Sequence, residues 1–174
     1  MTFFSTRPAA LALALGALVV CAPAQAQESD FLQRFEGKFS GGGKVSRNES
    51  ENATNVNCTM NGNAGENSLS MSGTCRAAVI FSRKISADLR YDPASGRYTG
   101  TYVGSSIGPA RLSGKRSGDA VNLTITWPKE VRGDTTAAMT IQNSGNGQVS
   151  ITIVDEIPAG GPKAQVSNIA LSQS

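Results

Sequence analysis

The chain has 174 residues, with 16 basic and 13 acidic side chains giving a formal net charge of +3, and it has no histidine. So small an excess, with no basic cluster denser than a pair such as Lys115-Arg116, excludes a nucleic-acid or membrane-surface binder held by charge. The missing histidine removes the usual general base near neutral pH, the commonest zinc ligand and the Ser-His pair.

Arg7, the apolar run Leu11 to Val20 (LALALGALVV) and Ala22-Pro-Ala-Gln-Ala26 read as an export signal. That run is too short for a spanning helix, which takes about 20 apolar residues, and no other stretch is long and apolar enough. No membrane insertion is therefore expected. Ala24-Gln25-Ala26 fits the small-x-small cleavage rule, so residues 1–26 are the expected signal peptide, cut after Ala26. The mature chain then starts at Gln27 in the periplasm or outside a bacterial cell. Cys21 follows Val20, where a lipid-anchor site prefers a small residue, so lipidation is not expected.

Residues 27–36 are expected to form a short helical lead-in, with Asp30 capping a helix through Phe31, Leu32 and Phe35. Gly37 and Gly41-Gly42-Gly43 end that pattern. From residue 37 to 174 the chain alternates with period two. Ile85, Ala87, Leu89 and Tyr91 share one face of a strand, as do Val121, Leu123, Ile125 and Trp127. Candidate strands lie near residues 37–46, 54–61, 68–76, 83–91, 97–103, 109–116, 120–127, 135–142, 147–156 and 165–172.

Between the runs sit turn clusters such as Asn61-Gly-Asn-Ala-Gly65, Asp92-Pro-Ala-Ser-Gly96 and Asn143-Ser-Gly-Asn-Gly147. Their spacing leaves no room for crossover helices, so the chain meanders antiparallel. A sheet this large closes on itself to remove its edges. The expected fold is all-β, one antiparallel up-and-down barrel of about eight strands preceded by a short helix.

After signal removal Cys58 and Cys75 remain, an even pair in an oxidising compartment, and a disulfide is the default there. Val56, Cys58 and Met60 share one strand face, and Leu69, Met71, Gly73 and Cys75 share another, so both sulfurs point with the apolar residues. Without a C-x-x-C spacing or a histidine, a redox or metal role is not expected. No metal site or cofactor is predicted.

The run Gly96-Arg-Tyr-Thr-Gly-Thr-Tyr-Val-Gly104, then Leu112-Ser-Gly114 and Leu123-Thr-Ile-Thr-Trp127, resembles the central strands of the avidin family, barrels of the calycin type that bind biotin. The Phe35-Glu-Gly-Lys-Phe39 segment resembles that family's first strand. The resemblance covers about a third of the mature chain. It implies a barrel with a luminal site, in which Tyr102 stands for a ligand-bonding tyrosine and Trp127 for a wall tryptophan. Gly104 stands where a hydroxyl should hold the ligand, Gly41 and Gly43 or Lys44 replace the polar residues after the first strand, and no second tryptophan exists. Biotin itself is therefore not the expected ligand, because buried polar groups left unpaired cost about 1–3 kcal/mol each. The "RYTGTYVG" and "LTITWP" segments also resemble uncharacterised secreted proteobacterial proteins, a likeness that implies no activity.

The candidate ligand-binding residues are Tyr91, Tyr98, Tyr102 and Trp127, as aromatic walls with polar tips, and Arg111 at the mouth. Small residues at inner positions (Gly73, Ala87, Gly100, Ala110, Gly114, Ala137) favour a modest cavity over a solid core. The leading functional expectation is an exported, non-catalytic barrel that takes a small apolar molecule in its lumen. The alternative is a cell-envelope or interaction protein with a solid barrel that meets a protein partner through its Ser-, Thr- and Asn-rich surface. Carboxylate catalysis remains open, but Asp155 and Glu156 are strand neighbours on opposite faces and form no acid-base pair.

Overall fold

The structure is a computed structural model that describes residues 24–46, 53–78 and 81–174. The expected signal core and cleavable segment through residue 23 lie outside the described residues. One helix, α1 (Ala24–Gln33), leads into ten strands. They are β1 (Gly37–Val45), β2 (Thr54–Ala64), β3 (Ser68–Ala77), β4 (Phe81–Asp92), β5 (Arg97–Val103), β6 (Ala110–Ser117), β7 (Ala120–Val131), β8 (Asp134–Gln142), β9 (Gln148–Glu156) and β10 (Lys163–Gln173).

Every strand pairs antiparallel with its neighbours in sequence, and β10 returns to pair with β1, so the sheet closes as an up-and-down barrel. The expected count of about eight strands is corrected to ten. All ten candidate segments form strands; none merges with a neighbour or is left outside the barrel. Barrel diameter grows with strand number, so ten strands enclose more than an eight-strand wall would. The extra width is filled at one end by α1 and left partly open at the other.

Side-chain alternation explains the strands. In β2 every second residue from Val56 to Gly62 is buried, and in β7 Val121, Leu123, Ile125 and Trp127 face inward. Leu69, Met71, Leu112, Met139, Ile141 and Leu171 fill the middle of the lumen. β7 runs past Pro128 to Val131, beyond the expected strand end at residue 127. The ladder to β8 shifts between Thr126 and Val131, so Pro128 sits in a stretch without ladder pairing, where its missing N–H costs nothing.

The helix starts ahead of Asp30, which therefore lies within it and does not cap it. Glu28, Phe31, Leu32 and Phe35 are spaced for one helical face and all are buried, the three apolar side chains completely. That face plugs the barrel end where the chain enters β1. Phe31 and Phe35 meet edge to face with centroids 5.3 Å apart, and the Arg116 guanidinium lies 4.9 Å from the Phe31 ring centre. The buried Asn143 donates its side-chain amide to the Arg34 carbonyl at 2.6 Å, satisfying one of the carbonyls the helix end leaves open. Arg34 in turn pairs with Asp119 at 2.6 Å.

Candidate functional site: a cavity at the unplugged end

The two barrel ends are chemically different. At the plugged end Tyr98 is fully buried and donates its hydroxyl to Glu28, whose other oxygen accepts from Arg116 Nε at 2.9 Å. Burial, reinforced by the adjacent Glu28 carboxylate, raises the Tyr98 hydroxyl far above its ordinary value. Tyr91 packs on Tyr98 with centroids 5.2 Å apart. These two candidate ligand-binding tyrosines therefore sit with the plug, away from any opening.

At the opposite end the lumen opens into a cavity of about 470 Å³. That lies in the range of small-molecule sites, roughly 300–1,000 Å³. Its deep wall is apolar, with Val56, Ile85, Ile153, Val166 and Ile169, and a further void of about 30 Å³ continues below it among Met60, Met71 and Met139. Tyr102 and Trp127 form one side, ring centroids 6.0 Å apart and tilted at 64°. Of the five residues singled out from sequence, the structure brings these two together at the cavity.

Arg111 is exposed on the outer face, between Thr101 and Thr126 in register. Its neighbours Ala110 and Leu112 point inward, so strand alternation turns it out. Two other arginines line the mouth, Arg83 and Arg132. Arg83 lies opposite Cys75 in the β3–β4 ladder, on the inward face that also carries Ile85 and Ala87. The alternation noted from Ile85 onward, run two residues back, would have found it.

Arg132 and Gly133 form the two-residue turn between β7 and β8 with φ of 58° and 98°. That is the twist tight hairpins favour, although a side chain there costs about 1–2 kcal/mol. The guanidinium donates to Asp155 Oδ2 at 3.0 Å and to the Ser46 carbonyl at 2.8 Å. Burial raises the Asp155 carboxyl above its ordinary value even though the Arg132 pair opposes that shift.

Tyr102 is held by what its neighbour lacks. A Cβ at Gly104 would collide with the Tyr102 hydroxyl and ring, so glycine at 104 makes room for the tyrosine beside the β5–β6 loop. Burial pushes the Tyr102 hydroxyl up to about 12, against the opposing charge of Arg83. Trp127 is 8% exposed, and its indole N–H is buried with no acceptor among the described residues.

The small inner residues do not make the cavity. None of Gly73, Ala87, Gly100, Ala110, Gly114 and Ala137 lines it. At Gly100 and Gly114 an added Cβ would strike the backbone of the adjacent strand, so these glycines serve the close coiling of the wall. The cavity instead lies at the end that α1 does not fill. Cys58 and Cys75 face each other directly in the β2–β3 ladder at disulfide distance, both inside the barrel, with Cys75 at the cavity wall. Among the described residues no group of three metal-ligating side chains converges, and no helix is long and apolar enough to cross a membrane.

No family model and no curated protein matches the chain. Among solved structures, the crystal structure of Rv2717c from Mycobacterium tuberculosis is similar, with a TM-score of 0.64 at 15% identity, covering 88% of this chain and 98% of that one. At that identity the likeness is one of fold.

Proposed function

We propose that this protein is an exported, non-catalytic barrel that binds a small, mostly apolar molecule in the cavity at its unplugged end. The observation that carries the reading is the asymmetry of the barrel: Phe31 and Leu32 of α1, with Phe35 in the turn just after it, fill one end as fully buried side chains, while the other keeps a cavity of about 470 Å³ over an apolar floor. An apolar guest that buries its surface against such a floor gains about 25 cal/mol per Å² of apolar area removed from water. Tyr102 and Trp127 are its aromatic wall, as the avidin-family resemblance implied, whereas Tyr91 and Tyr98 serve the plug.

The absence of any Asp or Glu among the described residues lining the cavity supports a binding role over carboxylate catalysis. The competing reading, a solid barrel that meets a protein partner, would be favoured by an open sheet edge or a broad exposed apolar patch. The sheet is closed, and the large exposed hydrophobic side chains among the described residues are Phe81 and Val103. Export rests on the leader pattern and the enclosed cysteine pair; an intact mass beginning at Gln27 in a periplasmic fraction supports it, and one retaining Met1 refutes it.

Trp127 is the sole tryptophan and stands at the cavity, so its emission reports on occupancy. Titration with a panel of hydrophobic metabolites is expected to give a saturable change in emission and a higher melting temperature for at least one compound. A panel of lipids and apolar metabolites that leaves both unchanged contradicts the reading.

A further inference from the structure

We infer that the ligand of this cavity is an anionic amphiphile, its apolar tail inside the barrel and its negative head at the mouth against Arg83. The inference rests on the cavity being a ligand site, as proposed above, and adds which chemical class it selects.

The charges around the cavity are one-sided. Arg83 and Arg132 line it, and no carboxylate does among the described residues. The two arginines are not equivalent. Arg132 has its charge answered by Asp155, which is 3% exposed and lies behind it, and its second amino group is held by the Ser46 carbonyl. Arg83 makes neither an ion pair nor a hydrogen bond with any described residue, yet its strand register points it to the cavity side, one step above Ile85. A guanidinium in that position offers a planar fork of donors suited to a carboxylate, sulfate or phosphate.

The uncharged groups point the same way. Among the described residues the buried Trp127 N–H finds no acceptor and nothing hydrogen-bonds the Tyr102 hydroxyl. Ser82, Ser105 and Ser106 add hydroxyls to the rim, Ser105 already accepting from the Ile107 N–H at 3.1 Å. The mouth is thus rich in donors and cation, and the interior below offers Ile85, Ile153 and Ile169. A neutral apolar molecule would leave those donors unanswered, and a cationic head would face Arg83.

Three probes with one tail separate the possibilities: dodecanoate, dodecanol and dodecyltrimethylammonium, each below its micellar concentration, titrated into the full protein and followed by Trp127 emission. Dodecanoate is expected to bind roughly tenfold or more tightly than dodecanol, the worth of one charge-assisted hydrogen bond, and the ammonium probe least well. Arg83→Gln should erase the preference for dodecanoate while leaving dodecanol affinity and the melting temperature unchanged, and Arg83→Lys should keep part of it. Equal binding of dodecanoate and dodecanol, or a preference that survives Arg83→Gln, overturns the anionic-head inference and leaves the cavity reading standing. Failure of all three probes to bind overturns both.

Discussion

Tyr102 occupies the space that a side chain at position 104 would need, so the glycine two residues along the chain fixes where the aromatic wall of the cavity stands. A Cβ there meets the hydroxyl end of a side chain, which can swing away, and not a rigid backbone. Gly104→Ala is therefore expected to displace the Tyr102 ring from its edge-to-face contact with Trp127, at a cost of about 1–3 kcal/mol. Near-ultraviolet circular dichroism and Trp127 emission should change in the free protein. Spectra identical to wild type would show that Tyr102 does not rest on Gly104.

The plug and the cavity should respond to mutation independently, because they lie at opposite ends. Phe35→Ala removes a fully buried ring from the turn that follows α1 and is expected to lower stability by about 3–5 kcal/mol in denaturant titration. The affinity of the folded variant for dodecanol should remain within about twofold, since mutational effects add when sites share no partners. A large loss of affinity at unchanged fold would mean that the two ends are coupled.

The ten strands were visible in sequence because the wall of a barrel imposes period two on every segment, and runs such as Val121 to Trp127 show it without interruption. How many strands close the wall is a different matter, set by tilt and stagger across the whole sheet, and no local pattern counts them. The site was half legible. Tyr102 and Trp127, singled out as aromatic walls, line the cavity, and Arg111 could have been turned outward by its own neighbours Ala110 and Leu112. Arg83 hid because a charged residue breaks the apolar alternation at a strand end, where the lumen meets water. Glu28 hid because a carboxylate on the face of Phe31, Leu32 and Phe35 is buried only when Tyr98 and Arg116 arrive from distant strands.

Cys58 and Cys75 bracket the β2–β3 hairpin with a sequence separation of 17. A cross-link over a loop of that length stabilises by about 3 kcal/mol in the chain-entropy model. Replacing both with alanine should lower the free energy of unfolding by roughly that amount, with the oxidised wild-type chain weighing about 2 Da less than the reduced one. Free thiols titrating in the folded, air-purified protein would show that the pair is not joined.

Burial of Asp155 gives stability a pH dependence. Burial raises its folded value above 3.8, so just above that pH the native chain holds a proton that the unfolded chain has released. Its contribution to stability is then full at low pH and falls as pH rises through the folded value. The stability of wild type relative to Asp155→Asn should therefore decline as pH rises from near 3.8 toward neutrality, in matched urea titrations. A difference that stays flat or grows with pH would mean that the Arg132 pair, and not burial, dominates.

The most direct measurement is the chemical-shift map of the isotope-labelled protein titrated with dodecanoate. The account predicts saturable shifts at Ile85, Tyr102, the Trp127 indole N–H and Ile153, with Phe35, Tyr98 and the outward-facing Arg111 unmoved. Shifts confined to the outer wall or the plug, or none at saturating probe, would contradict it.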